Sequence, residues 1–183
     1  CISSAASDVY KRQQNHIIPN VAELPFDAGE VSGLEKGTVF GGILKANSKQ
    51  SKFVLSIRAS DIFEIYRVSD DGINRVYVSP FKHIPKTWKK GGGYAIDYNQ
   101  SIGGIKNIAV SDDLICFSLF LQNYNEAAKT DFASNELFCF DWDGNKVKKY
   151  VLPFPIGNFC IDGTHIYGVR NFEDKIIIYR FNM

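Results

Sequence analysis

One stretch of this chain decides its fold class: Leu137-Phe-Cys-Phe-Asp-Trp-Asp-Gly-Asn-Lys-Val-Lys-Lys-Tyr-Val-Leu152. Two short segments rich in aromatic and apolar residues, 137–140 and 147–152, flank the sequence Asp141-Trp-Asp-Gly-Asn145. Asp and Asn side chains accept hydrogen bonds from nearby backbone N–H groups, and Gly allows a positive φ, so this composition is typical of tight turns. The stretch therefore predicts two antiparallel strands joined by a turn.

The same pattern recurs along most of the chain. Turn sequences such as Ser69-Asp-Asp-Gly72 separate short runs of β-branched and aromatic residues. The predicted strands are 53–57, 62–68, 75–78, 114–121, 137–140, 147–152, 165–169 and 175–181. Residues 125–130 could form one or two helical turns within a loop, and no long helix is predicted. The fold class is therefore all-β.

Several predicted strands are almost continuously apolar, and the longest such run is Leu114–Leu121. A strand of this kind is covered on both faces, as in a β-propeller, where each blade lies between two others. An internal repeat supports this interpretation. Tyr66-Arg-Val68 before Asp71-Gly72 corresponds to Phe140-Asp-Trp142 before Asp143-Gly144. Repeated strand–turn–strand units are typical of blades.

The repeats divide the chain into about three blades of four antiparallel strands. Their predicted ranges are 38–79, 104–152 and 157–183, within one domain that covers 14–183. Long insertions lie at 79–103 and 122–135. The last blade ends after its third strand, which suits a ring closed by a strand from an N-terminal part.

The composition argues against a nucleic-acid partner, and the sequence argues against a membrane-spanning helix. The chain has 21 Lys and Arg residues against 20 Asp and Glu residues, so it lacks the basic excess expected of a nucleic-acid-binding surface. The stretch Lys86-Thr-Trp-Lys-Lys90 is its densest cationic segment and is predicted to be a solvated loop. No run approaches the about 20 apolar residues that a membrane-spanning helix requires.

The cysteines carry no motif. Cys116, Cys139 and Cys160 lie in apolar runs, and no two of them form a C-x-x-C pair. With Cys1 set aside in the N-terminal segment that is expected to be non-native, three of the four cysteines remain. Because three is an odd number, a disulfide framework is not expected. All three are predicted to be small buried apolar side chains.

No catalytic residue, metal ligand or cofactor site is predicted. Asp141 opens a stretch similar to a calcium loop, but its sixth position is Lys146 and its twelfth is Leu152, so the bidentate acid is missing. The Gly91-Gly-Gly93 run lacks the Gly-Lys-Ser/Thr of a phosphate loop and is predicted to be a flexible insertion. The three histidines, 16, 83 and 165, are scattered.

The first insertion supplies the candidates for binding: Trp88, Tyr94 and Tyr98. Long loops on a rigid scaffold often recognise ligands, and Trp and Tyr combine contact area with a polar group. The simpler and preferred interpretation is that these rings pack the insertion onto the blades.

Residues Ser3–Gln13 resemble the translation of a common transposon-based sequencing adapter. Residues 1–13 are therefore expected to be non-native, and the rest to be the C-terminal portion of a longer gene product.

The runs Asn107-Ile-Ala-Val-Ser-Asp-Asp-Leu-Ile-Cys-Phe-Ser118 and Phe140-Asp-Trp-Asp-Gly-Asn145, followed by Phe159-Cys-Ile-Asp-Gly-Thr-His-Ile-Tyr-Gly-Val169, resemble the TolB-like six-bladed β-propeller family of Bacteroidales. The resemblance covers nearly all of 38–183 and implies about half of a six-bladed ring. It also implies an exported cell-envelope protein, often lipid-anchored, with no assigned reaction.

The blade repeats, the neutral charge and the lack of a catalytic motif favour a non-enzymatic binding or interaction module, which the resemblance implies to belong to the cell envelope. Its partner would be a protein or a glycan, and an N-terminal lipid anchor would provide any membrane association. The alternative is a carbohydrate-active hydrolase or lyase with its site in the channel of the full propeller. A structural subunit that stacks against other envelope proteins is a third possibility.

Overall fold

The structure, a computed structural model, describes residues 24–80 and 82–183. Residues 1–13, predicted to be non-native, and His16 lie outside these ranges. The described residues form thirteen strands and two helices. In chain order they are α1 (Gly33–Phe40), β1 (Leu44–Ala46), β2 (Lys52–Ser56), β3 (Phe63–Ser69), β4 (Gly72–Val78), β5 (Thr87–Lys90), β6 (Gly93–Ile96), β7 (Ile102–Val110), β8 (Ile115–Asn123), α2 (Tyr124–Ala128), β9 (Ser134–Phe140), β10 (Lys146–Ile156), β11 (Phe159–Ile161), β12 (His165–Phe172) and β13 (Lys175–Asn182).

The strands form three sheets and one separate hairpin. Sheet 1 contains β1–β4, sheet 2 contains β7–β10, and sheet 3 contains β11–β13, each with neighbours in chain order. Strands β5 and β6 pair only with each other among the described residues. All pairings are antiparallel. The all-β prediction is confirmed, with two short helices in the connections.

The sheets stack face to face. Phe63 of sheet 1 contacts Phe117 and Phe140 of sheet 2, with ring centroids 5.1 and 5.0 Å apart. On the opposite face of sheet 2, Leu137 shares a buried apolar cluster with Ile166 of sheet 3. Sheet 2 is thus covered on both faces, which explains why β8 is almost continuously apolar.

The first strands of the three sheets lie side by side, because β7 contacts both β1 and β11. Antiparallel connections then place alternate loops at two opposite ends of the stack. One end, called here the turn end, carries short turns. There the Ser48 N–H of sheet 1 donates to Asp112 Oδ1 of sheet 2 at 3.2 Å. The other, called here the insertion end, carries both insertions and α2. There the Ile105 N–H donates to the carbonyl of Ser60 at 3.0 Å.

The first insertion is an ordered hairpin, which corrects two predictions. The segment predicted as a solvated loop contains β5, although its Lys residues are exposed as expected. The glycine run predicted to be flexible forms the turn between β5 and β6, where Gly91 and Gly92 have φ values of 56° and 93°. The glycines are needed because L residues with side chains rarely adopt such angles.

A disulfide joins Cys116 of β8 to Cys139 of β9, so the expectation that these cysteines form no disulfide is wrong, whereas their predicted burial is confirmed. The two residues are directly opposite each other in the ladder and are buried. Antiparallel neighbours of this kind bring the two Cβ atoms close enough for a bond. The prediction for Cys160 is also wrong in its burial, because this free cysteine is exposed on β11.

Helix α1 begins with a capping box. The Ser32 hydroxyl accepts from the Glu35 N–H, and the Glu35 carboxylate accepts from the Ser32 N–H. This exchange satisfies backbone donors that a helix N-terminus leaves unpaired. Helix α2 lies within the helical segment predicted at 125–130 apart from its first residue, Tyr124.

Candidate functional site

The described surface has a cleft at the insertion end, beside the β5–β6 hairpin, called here the hairpin cleft. Its volume is about 470 Å³. The hairpin, the segment that follows it and the start of α2 form its walls. The lining residues are Trp88, Lys90, Ala95, Ile96, Asp97, Tyr98, Asn99 and Asn125.

The hairpin register separates the three aromatic residues that the sequence singles out. Trp88 lies opposite Ala95, whereas Tyr94 lies opposite Lys89. Successive residues of a strand point to opposite faces, so Trp88 and Tyr94 are on different faces of the hairpin. Trp88 and Tyr98 line the cleft, and Tyr94 does not.

Tyr94 faces the core and fastens the hairpin to the region of α1. Its hydroxyl donates to Glu30 Oε2 at 3.3 Å, and its backbone N–H donates to Glu35 Oε1 at 3.2 Å. Burial and then the charge of Glu30 raise the pKa of the Tyr94 phenol. These contacts are those of a packing residue, and a binding role for Tyr94 stays a prediction.

Tyr98 lines the cleft and also packs against the core. Its ring lies 4.1 Å from that of Tyr124, centroid to centroid, and it packs against the buried cluster that includes Phe40. Trp88, in contrast, is 49% exposed. The Lys90 Nζ lies 5.8 Å from the centroid of the indole ring. Trp88 is therefore the aromatic surface that the cleft offers to a ligand.

Three asparagines that sequence reasoning missed organise the polar wall. The side-chain amide of Asn123 donates to the backbone carbonyl of Asn99 at 2.6 Å, and that of Asn125 donates to Asn99 Oδ1 at 2.7 Å. The Asn125 N–H donates to Asn123 Oδ1 at 2.9 Å. The Asn99 Nδ2 and the Asn125 Oδ1 then have no hydrogen-bond partner among the described residues.

The cleft is close to electrically neutral. Lys90 is its cation and Asp97 its anion. Both Asp97 oxygens are engaged, because Oδ1 accepts from the Asn99 N–H at 3.0 Å and Oδ2 from the Gln100 amide at 2.6 Å. Asp97 thus shapes the turn after β6 rather than presenting a free carboxylate.

A larger cleft of about 710 Å³ lies between α1 and sheet 1 and contains a buried acid, Glu64. The Tyr66 hydroxyl and the Arg75 Nη1 each donate to one of its oxygens, the latter at 2.9 Å. Burial, followed by Glu64, raises the pKa of Tyr66. Because both oxygens are bound, Glu64 is structurally satisfied.

His83 and Asp61 form another pair, with Nδ1 and Oδ2 2.9 Å apart. Asp61 also accepts the backbone N–H groups of Lys82 and His83. The nearby Ser60 hydroxyl donates to the His83 carbonyl and not to its ring. The pair therefore holds the chain after β4 onto sheet 1, and it lacks the nucleophile–base contact of a catalytic triad.

In the part of the chain that the structure describes, no three His, Cys, Asp or Glu side chains are grouped so as to hold a metal ion. The described helices also include none with the length and hydrophobicity needed to cross a membrane.

Three antiparallel sheets, stacked around adjacent first strands with their insertions at one end, define a partial β-propeller. The chain belongs to the TolB-like 6-blade propeller-like family, whose sequence profile matches residues 15–164. A comparison with curated protein sequences gave no significant match.

Two solved structures are similar to this chain at low sequence identity. Hsv2 of Kluyvelomyces marxianus is 15% identical with a TM-score of 0.39, over 79% of this chain and 36% of that one. The β-propeller domain of Myceliophteria thermophila Cps50 (Swd1) is 11% identical with a TM-score of 0.43, over 74% of this chain and 38% of that one. This chain thus spans less than two fifths of the length of either structure.

Proposed function

We propose that this protein is a non-enzymatic binding module of the bacterial cell envelope, and that it engages its partner at the hairpin cleft. The observation that carries the proposal is the exposed Trp88, held on a paired strand at the rim of a concave surface. Recognition commonly uses such loops on a rigid scaffold, and a large exposed aromatic ring is a frequent anchor of binding.

Two observations support the cell envelope as the location. The TolB-like family suggests a periplasmic or envelope protein. The disulfide between Cys116 and Cys139 fits an oxidising compartment, because cytosolic thiols are kept reduced in most organisms. Membrane association through a lipid anchor is part of the proposal, as is a protein or glycan partner.

The binding role is tested by comparing variants of the full chain immobilised on a resin. Wild type, Trp88→Ala and Val151→Ala are each exposed to a solubilised envelope extract, and retained proteins and glycans are identified by mass spectrometry. Val151 is a matched control, because it is a large apolar residue 67% exposed on β10 of sheet 2.

We expect one or more components to be retained by wild type and Val151→Ala and lost with Trp88→Ala. Circular dichroism of each variant establishes that it is folded. Retention of the same components by Trp88→Ala would overturn the assignment of the cleft, and retention of nothing by wild type would overturn the binding role.

A further inference from the structure

We infer that the hairpin cleft binds a neutral saccharide, with a sugar ring stacked on Trp88 and sugar hydroxyls bonded by Asn99 and Asn125. This inference rests on the proposed function, since it names the chemical class of ligand for the same cleft. It is carried by three features: an aromatic platform, a fixed pair of amide groups and a lack of net charge.

The platform is the indole of Trp88. Its cross-strand neighbour is Ala95, whose methyl group is too small to cover the ring, and the ring stays 49% exposed although the Lys90 Nζ lies over it, 5.8 Å from its centroid. Sugar rings present C–H groups on their faces, and these pack well against the negative face of an aromatic ring. Because Trp88 lies in a hydrogen-bonded strand, its backbone is fixed and little backbone entropy is lost on stacking.

The amides are positioned before a ligand arrives. The contacts of Asn123 and Asn125 with Asn99 hold the three side chains together across the gap between the hairpin and α2. The Asn99 Nδ2 can donate and the Asn125 Oδ1 can accept. A sugar hydroxyl is both donor and acceptor, so adjacent hydroxyls of one ring match this pair. A preorganised polar pair of this kind favours binding.

Charge and size favour a neutral sugar over other ligands. Lys90 and Asp97 balance each other, so neither an anionic polymer nor a metal ion is favoured. The volume of about 470 Å³ is within the range of small-ligand sites. A protein partner would favour an apolar centre, whereas most of the residues around Trp88 here are polar.

The test uses isothermal titration calorimetry of the full chain. The probes are neutral methyl glycosides of glucose, galactose, mannose and xylose, their short oligosaccharides, and glucuronic and galacturonic acids for comparison. Tryptophan fluorescence locates the site, because Trp142, the second of the two tryptophans, is 4% exposed and donates its Nε1–H to the Ser111 carbonyl.

We expect at least one neutral probe to bind saturably and to change the emission of Trp88. Affinity should fall at least tenfold in Trp88→Ala and in Asn125→Ala, and should be unchanged in Val151→Ala. Asn125 is exposed on a short helix, so Asn125→Ala is expected to stay folded. This variant therefore tests the cleft independently of Trp88→Ala.

Other outcomes separate this inference from the proposed function. If envelope components are retained through Trp88 and no neutral saccharide binds, the saccharide assignment is wrong and the binding role stands. If both experiments fail, the proposed function fails as well. Binding limited to the acidic sugars, or neutral binding unaffected by Trp88→Ala, would also overturn this inference.

Discussion

Asp162 shows how one turn residue makes the stability of the fold depend on pH. Its Oδ1 accepts the backbone N–H groups of Thr164 and His165 at 2.8 and 2.7 Å, and also the Thr164 hydroxyl at 2.8 Å. The backbone bond from Thr164 and then its hydroxyl hold the pKa of Asp162 well below the usual 3.8. The charged form is therefore favoured by folding.

The pKa of Asp162 is lower in the folded protein than in the unfolded chain. Its stabilising contribution is therefore fully present above the pKa of the unfolded chain and is lost as the pH falls through the pKa of the folded protein. We expect Asp162→Asn to lower the free energy of unfolding at pH 7 and to have less effect below pH 3.8. Urea titrations across this range measure the difference. Asp174→Asn is the control, since the described residues give no hydrogen bond to its carboxylate. Equal effects of Asp162→Asn at both pH values would contradict the prediction.

Glu64 allows a buried ion pair to be compared with an exposed one. We expect Glu64→Gln to cost about 1.5–3 kcal/mol, because the neutral amide removes the charge that strengthens the bond from Arg75 at a side chain only 3% exposed. The matched variant is Glu136→Gln, whose pair with Lys149 is nearly half exposed on both sides, and we expect a loss of less than about 1 kcal/mol. If chemical denaturation showed similar losses of unfolding free energy in the two variants, the burial of Glu64 would not strengthen its ion pair.

At the scale of the element, the disulfide ties the two central strands of sheet 2 together. The cysteines are 23 residues apart, and cross-linking a chain segment of that length is worth about 3 kcal/mol. We expect Cys116→Ser with Cys139→Ser to lower the unfolding free energy by about this amount. Dithiothreitol should lower the Tm of the wild type and not that of the double variant. Cys160→Ser changes an exposed residue and should leave the unfolding free energy unchanged. If it lowered the unfolding free energy as much as the double variant does, the result would argue against the disulfide.

The turn between β9 and β10 also joins two sheets. At Gly144, with φ of +86°, an added Cβ would overlap the Tyr77 ring of sheet 1. Gly163 has φ of +93° and open space around its Cβ position. We expect Gly163→Ala to cost about 1 kcal/mol for the backbone, and Gly144→Ala to cost about 1–3 kcal/mol more for the overlap. Equal unfolding free energies of the two variants would mean that the turn does not pack on Tyr77.

Strands and turns that depend on the local sequence could be predicted. Features that depend on which residues face each other across two strands could not. Strands such as β8 and β9 are evident from their apolar runs, and the turn at Asp141 from its Asp and Gly. The disulfide was missed because the insertion between Cys116 and Cys139 hides which residues of β8 and β9 face each other. Helix α1 contains Gly33 and Gly37, which disfavour a helix, although the spacing of Ser32 and Glu35 is a visible capping signal.

At the scale of the whole molecule, the stacked sheets were predictable because repeated turns and doubly covered strands point to blades. The aromatic wall of the hairpin cleft was also accessible to sequence reasoning, since Trp88 and Tyr98 lie in a long insertion. Its polar wall was not. Asn99 is 24 residues from Asn123 and 26 residues from Asn125 in the sequence. These residues contact each other only because the two insertions that contain them emerge at the same end of the stack.

The outer face of sheet 3 leads to the last prediction. Ile176 and Ile178 are 74% and 70% exposed on β13, and an apolar surface of this kind favours association in water. We expect Ile176→Thr with Ile178→Thr to reduce self-association in sedimentation velocity without lowering the Tm, because Thr keeps the β-branched shape that suits a strand.

The neighbouring residue provides the control. Ile177 points to the opposite face of β13, where it is half buried, so Ile177→Thr should lower the Tm and leave self-association unchanged. The two effects separate because successive residues of a strand alternate between faces. If the double variant associated as strongly as the wild type, or if it unfolded at a lower temperature, these side chains would be covered in solution rather than open to water.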